Sequence, residues 1–341
     1  MWTIKIVFAV HPFRILIKTS LVGLAISVSA ELAARFFFGL GNPPLLIVNA
    51  KIEYLFRPNQ SLRRFGNRIF INDYGMRSEH LSTVLRPGER RVLVFGDSVV
   101  FGGAQLDQAL IATEQLKTRM HRAGEMVTIG NVSAGSWGPG NWKGWAEAFG
   151  FLGATDVVLV ISSHDVADNP TYAPLSPLSH PQHNPPLALW ELVSRYLNSG
   201  RVKYQIQSWS LLQKSGSNQS LPTLRRNHLN DDELSEAAIR QGLSDLRAFL
   251  KAAQRSGARV SVVQFWDRQE LLSGQAKPGR SQIALLLQEL KIPTVQSRLF
   301  FLSCSSNPSV DLYVDNIHPF TPAGQACLAD AIHAALQKAK I

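Results

Sequence analysis

Cysteine is nearly absent: Cys304 and Cys327 are the only two in 341 residues. That excludes a small scaffold held by several disulfides, and no pair of cysteines or histidines has the spacing of a structural zinc site. The two thiols could pair in an oxidising compartment or remain as two buried free cysteines, and the sequence leaves both open. Acidic residues are also scarce, 25 against 35 lysines and arginines, giving a formal net charge of +10. Such a balance favours encounter with anionic partners such as acidic polysaccharide, phospholipid headgroups or nucleic acid, or it is simply a basic soluble surface. A basic window is visible, with eight arginines from Arg57 to Arg91 facing only Asp73, Glu79 and Glu89. It contains no zinc finger, helix-turn-helix or aromatic-basic RNA motif, so nucleic acid is not expected as a partner. There is no internal repeat, which excludes repeat architectures.

What is present is an apolar chain, 45% hydrophobic and 18% charged, enough for a sizeable core in one large domain with additions, or in two. Lys5, Arg14 and Lys18 precede any acidic residue, and Leu21 to Ala30 is uncharged and apolar or small. The stretch Ile15 to Leu40 is long enough to cross a bilayer, with Lys18, Glu31 and Arg35 near its ends or sheltered. The positive charges ahead of it would keep the N-terminus cytoplasmic and send the chain beyond about 40 across. An uncleaved anchor over 1–41 is therefore the leading reading. A cleavable signal is the rival, since Val28 and Ala30 suit the residues before a cleavage site, and a buried helix of a soluble protein is the third.

Residues 42–88 form a linker followed by strand-like alternation with Asn and Gly turns, which predicts a small antiparallel element over 51–80. From 89 to 341 strands and helices alternate. Strands are expected near 91–96, 126–132, 156–162, 258–265 and 293–298, and helices near 108–123, 141–152, 232–256, 280–290 and 322–338. Alternation of this kind predicts an α/β domain whose parallel sheet is covered on both faces. Six prolines between Pro170 and Pro186 break the rhythm, and helical periodicity returns only at Leu187. The interval 170–230 is an insertion, either a lid or acceptor-binding element or a poorly ordered excursion.

The stretch R-R-V-L-V-F-G-D-S-V-V-F-G places Ser98 just past the carboxyl end of the first core strand, where open α/β sheets keep their ligand crevice. By itself G-D-S reads as a capped strand-to-helix turn. A nucleophilic serine also needs a base, a carboxylate to orient that base, and donors for an oxyanion. Y-V-D-N-I-H-P-F-T-P-A-G supplies the first two as Asp315 and His318, three residues apart before a helix that Thr321 caps and Pro322 opens. Trp137, Trp142 and Trp145 follow the second strand and either line an acyl or sugar site or pack the core.

These blocks resemble the SGNH, or GDSL-type, hydrolase superfamily. The resemblance covers about 91–338 and implies a flavodoxin-like three-layer α/β/α sandwich around a five-stranded parallel sheet of order 2-1-3-4-5. It implies Ser98 as nucleophile and oxyanion donor through its own N–H, with Asp315 as orienter, His318 as general base and no cofactor or metal. Two middle blocks depart from the pattern. Aligning Asn131 and Ser133 of N-V-S-A-G-S puts Ser136 at the oxyanion glycine, with Gly135 one residue before it. The third block, G-x-N-D in the family, reads S-S-H-D, so His164 stands where an asparagine would donate its amide. Ser98, Ser136 and His164 are then the expected oxyanion donors, with Asp97, Gly135, Trp137 and Asp165 as substrate-binding candidates. Together with the anchor and the N-D-Y-G-M-R segment, the pattern is similar to a membrane-associated branch linked to bacterial exopolysaccharide O-acylation. That likeness implies an esterase or acyltransferase for O-acyl groups, usually acetyl. Its catalytic domain would be anchored on the outer side of the inner membrane, in the periplasm or outside, with exopolysaccharide assembly proteins as the partners that likeness implies. A lipid esterase or thioesterase, and a non-catalytic polysaccharide-binding scaffold, are the alternatives.

Overall fold

A computed structural model describes residues 10–82, 84–197, 236–307 and 311–340. The chain opens with a long helix, α1 (Val10–Phe38). Two antiparallel hairpins follow, β1 (Leu46–Asn49) with β2 (Glu53–Phe56) and β3 (Gln60–Arg64) with β4 (Asn67–Ile71). The remaining strands are β5 (Arg90–Gly96), β6 (Val127–Ser133), β7 (Asp156–Ile161), β8 (Arg259–Gln264) and β9 (Thr294–Gln296). They form one parallel sheet of order β6-β5-β7-β8-β9. This is the expected α/β/α sandwich with its 2-1-3-4-5 order. The insertion is seen only as far as Leu197, and the helix expected over 232–256 from Glu236 onward; the rest of both lies outside the described residues.

Val92 to Phe95 read as an unbroken apolar run because β5 is buried on both faces, all four residues being fully inaccessible. One face, through Leu93, Phe95, Val157 and Leu159, packs on α4 (Pro139–Phe149) and on the helices Glu236–Arg255 and Pro278–Glu289. The other, through Val92, Val94, Val158 and Val160, packs on α3 (Ala112–Arg122) and on Ser297–Cys304 and Pro322–Lys338. Each fully buried aliphatic or aromatic side chain contributes about 1.5–3 kcal/mol relative to exposure. The hairpins join the first of these cores through Leu46, Ile52, Tyr54 and Phe56. Because β6 and β7 flank β5 on opposite sides, the connections around it leave on opposite faces, and a crevice opens beyond its carboxyl end.

Three details depart from expectation. The strand expected over 293–298 stops at Gln296, because Ser297 opens the helix Ser297–Cys304 and its Oγ accepts the Trp266 N–H at 2.9 Å. A second unexpected helix, Arg268–Ser273, is closed by a capping box between Asp267 and Glu270. The basic window, finally, is divided: Arg63, Arg68 and Arg86 are exposed, while Arg64, Arg77, Arg90 and Arg91 turn inward. Arg64, Arg77 and Arg91 are at most 1% exposed, and Arg77 donates to the carbonyls of Phe101, Gly103 and Leu106 at 2.6–2.8 Å. Arg91 likewise donates to the Leu152 and Ser82 carbonyls, and Arg90 forms a bidentate pair with buried Asp156. The inward-turned guanidinium groups satisfy buried acceptors, so that part of the window reports packing.

Cys304 and Cys327 form a disulfide across a separation of 23 residues. The loop it closes carries Asp315 and His318, and constraining a loop of this length in the unfolded chain is worth about 3 kcal/mol in the chain-entropy model. Within α1, Ile15–Phe38 has a mean hydropathy of 1.7 and is long enough to cross a membrane.

Candidate active site

β5 ends in Gly96, where a Cβ would lie 2.3 Å from a Val100 methyl. Glycine therefore lets the next turn fold tightly back over the strand end. That turn is α2 (Ser98–Phe101), capped by Asp97, whose Oδ1 accepts the Val99 N–H at 2.9 Å, and closed by Gly102 at φ +83°. Ser98 thus heads a short helix at the crevice.

Its Oγ lies 3.0 Å from His318 Nε2, across 220 residues of sequence, and His318 Nδ1 lies 2.7 Å from Asp315 Oδ2. The other Asp315 oxygen accepts the Ile317 and His318 backbone N–H groups, both at 2.8 Å. Burial works against this carboxylate, yet the His318 imidazole and the two amides hold it down at about 2, so it is ionised at any ordinary pH. The loop is fixed from outside by Tyr313, whose hydroxyl donates to the Trp266 carbonyl at 2.6 Å, and by the Thr321 cap on Gly324. Sequence D-x-x-H becomes a relay because the Asx-type turn at Asp315 leaves one carboxylate oxygen free for the ring.

Among the side chains that hold this arrangement, Gln325 was not singled out in the sequence. Gln325, fully buried, donates to the Val99 and Pro319 carbonyls at 3.2 Å and accepts the Ala112 N–H at 2.8 Å, tying the serine turn to the histidine loop. Asn131 donates to the Val100 carbonyl at 2.8 Å, and Trp142 Nε1 to the Gly96 carbonyl at 2.9 Å. A glutamine within an apolar helix gives no pattern by which sequence alone could find it.

The altered blocks lie beside the serine turn. Ser136 is exposed on a turn at φ +58°, the left-handed region that a glycine would occupy without strain. Among the described residues, neither the Ser98 nor the Ser136 N–H donates to a protein acceptor. His164 is about one-third exposed, with Nε2 3.2 Å from Asp165 Oδ1. Asp165 is fully buried and accepts the Ser162 N–H at 2.7 Å; burial and then the charges of Asp97 and Asp168 push its carboxyl well above the usual range. Asp168 is pushed up to about 6 by burial, against the pull of His164 and with added push from Asp97. Asp97, His164 and Asp165 each offer one ligand atom within 4.8 Å of the others. Asp97 accepts the Val99 N–H and the Ser98 hydroxyl (3.2 Å), and Asp165 Oδ2 the Ser162 N–H, while Asp165 Oδ1 is buried without a hydrogen-bond donor among the described residues.

The substrate-binding expectations need correction. Asp97, Trp137 and Asp165 are 3%, 2% and 0% exposed, so none offers surface to a ligand. Asp97 is the cap beneath Ser98, and Asp165 lies under the His164 ring. Trp137 donates its indole N–H to the Tyr54 carbonyl at 3.1 Å, and with Trp142 and Trp145 it belongs to the core, where large aromatic side chains bury most apolar area. Gly135 stays at the crevice wall, its carbonyl accepting the Tyr54 hydroxyl at 2.5 Å.

No family model matches the chain, and a search of curated proteins finds no match. Among solved structures, the chain is similar to TesA at 13% identity, with 73% of this chain and 99% of that one covered and a TM-score of 0.41. It is similar to the acetyl xylan esterase AlAXEase at 13% identity, 72% and 99% coverage and a TM-score of 0.43. A lipase/acylhydrolase from Enterococcus faecalis is likewise similar, at 13% identity, 74% and 96% coverage and a TM-score of 0.41.

Proposed function

We propose that this chain is an SGNH-type serine esterase or acyltransferase that removes or transfers O-acyl groups, chiefly acetyl, on an envelope polysaccharide. The carrying observation is the unbroken relay from Ser98 Oγ to His318 to Asp315, at 3.0 and 2.7 Å. In this reading Ser98 attacks the acyl carbonyl while His318 Nε2 takes its proton. The oxyanion is met by the N–H groups of Ser98 and Ser136 and by the His164 ring, and collapse returns the proton to the departing sugar oxygen. Water or a second sugar hydroxyl, deprotonated in turn by His318, then releases the acyl group from Ser98. Placement at the envelope is supported by the apolar span Ile15–Phe38, by the Lys5 and Arg14 charges ahead of it and by Lys18 in its first turn.

Acetyl is preferred over long acyl chains because the three tryptophans that could have formed an apolar acyl slot are sealed in the core. The full-length protein in detergent should therefore turn over p-nitrophenyl acetate at least about 10-fold faster, by kcat/KM, than the octanoate, as expected when a site lacks room for extra methylenes. Preference for octanoate would favour a lipid esterase, and a folded protein that hydrolyses neither would favour the binding scaffold.

His164→Ala should lower kcat by about 100-fold with little change in KM, the size of effect expected for losing one oxyanion donor. His164→Asn, which puts an amide donor at the same place, should recover part of that loss. An alanine variant with undiminished kcat would remove His164 from the oxyanion site.

A further inference from the structure

The segment that follows the proline-rich stretch begins as α5 (Ala188–Glu191) and continues as a wider helical turn, Leu192–Leu197. Its two sides differ. Ala188, Glu191 and Tyr196 are buried against the domain and Leu189 and Leu192 half-buried, whereas Leu187, Trp190, Val193 and Leu197 are 42–60% exposed. The exposed set is spaced 3, 3 and 4 residues apart, so it forms one stripe along the helix. Single exposed apolar residues are ordinary; a whole face of them, tryptophan included, marks an interaction surface.

We propose that this stripe is a membrane-seated surface, lying in the lipid–water boundary of the bilayer that α1 enters and holding the catalytic domain against it. The inference rests on reading α1 as an anchor. The occupant is identified by continuity with that span. The stripe is bolted to the last turns of α1: the two Glu31 carboxylate oxygens accept the Ala188 and Leu189 N–H groups at 2.8 and 3.0 Å, and Arg35 donates to the Pro186 carbonyl at 3.0 Å. Behind it, Glu191 accepts from Arg64 at 2.6 and 3.1 Å and from the Gly41 N–H at 2.5 Å, so its orientation relative to α1 is fixed.

The level is also right. The 24 residues of Ile15–Phe38 span about 36 Å as helix, slightly more than a hydrocarbon core of about 30 Å, so the turns after Leu32 emerge among headgroups. There Phe36, Phe37 and Phe38 are exposed, and exposed Arg63 supplies positive charge, Arg35 being paired with Glu31. Aromatic side chains and cations at this level are what an anionic interface takes up, and an amphipathic helix in it sits with its apolar face buried.

The test places a nitroxide label at Trp190→Cys, Val193→Cys, Val84→Cys and Leu24→Cys, one at a time, in the full chain; the native cysteines are paired in the disulfide and do not react. The protein is reconstituted in phosphatidylcholine–phosphatidylglycerol vesicles, and collision of each label with oxygen is compared with collision with a water-soluble nickel chelate. Labels at 190 and 193 should report a depth of about 5–10 Å into the interface, with Leu24 deeper and Val84 in water. If 190 and 193 meet nickel as freely as Val84 while Leu24 stays deep, the stripe is not membrane-seated although the anchor stands. If Leu24 also meets nickel, the anchor reading fails and the proposal with it. Labels at 190 and 193 shielded from both reagents would mean that protein, not lipid, covers the stripe, and would overturn the assignment.

Discussion

Ser98→Ala is expected to lower kcat on p-nitrophenyl acetate by about 10⁴-fold or more and to abolish labelling by a fluorophosphonate, as loss of the nucleophile does in serine hydrolases. The same change should leave the fold alone. Among the described residues the hydroxyl hydrogen-bonds with His318 Nε2 and the Asp97 carboxylate, while Asp97 keeps its cap on Val99 and Trp142, Asn131 and Gln325 keep their hold on the surrounding carbonyls. An exposed-to-half-buried hydroxyl without other partners is worth no more than about 1 kcal/mol. Denaturant midpoints of the two proteins should therefore nearly coincide, which separates lost chemistry from lost structure. Turnover within 10-fold of the parent would assign the activity to another nucleophile and sink the proposed mechanism.

What could be read from the sequence was whatever leaves a local signature. Val92 to Phe95 announce a two-face-buried strand, the alternation after residue 89 announces the parallel sheet, and D-N-I-H, a surface loop when read alone, gains meaning only beside G-D-S at the end of the first core strand. Residues whose role is set by what lies opposite them left no such trace. Arg77 and Arg91 look like surface charge until their backbone acceptors are seen, and Trp137, Trp142 and Trp145 look like a cleft until α4 is packed on the hairpins. Gln325 joins the serine and histidine segments through contacts more than 200 residues apart, which no local pattern encodes. The stripe from Leu187 to Leu197 had the right periodicity for a helix, but periodicity alone cannot say whether an apolar face meets a core or a membrane.

Asp315→Asn carries the second large effect, and its direction follows from which atoms face which. The Ile317 and His318 N–H groups require an oxygen at the Oδ1 position, so the amide nitrogen of an asparagine must turn toward His318 Nδ1. A donor there forces Nδ1 to accept, the ring proton moves to Nε2, and the atom facing Ser98 can no longer take a proton. A loss of about 10⁴-fold in kcat is expected, with fluorophosphonate labelling slowed to match, because the wrong tautomer disables the base while leaving the geometry in place. The pH dependence supplies an independent check. In the folded protein the Asp315 carboxyl is held at about 2, below its ordinary value of 3.8. Its ionised form therefore stabilises the fold fully above pH ~4, by about 2 kcal/mol for a shift of this size, and that contribution is lost as pH falls toward 2. Urea unfolding of parent and variant should differ by about that amount at pH 7 and converge as the medium is acidified through this window. A gap that persists unchanged at pH 2, or a variant that retains most of its turnover, would show that Asp315 does not set the tautomer of His318.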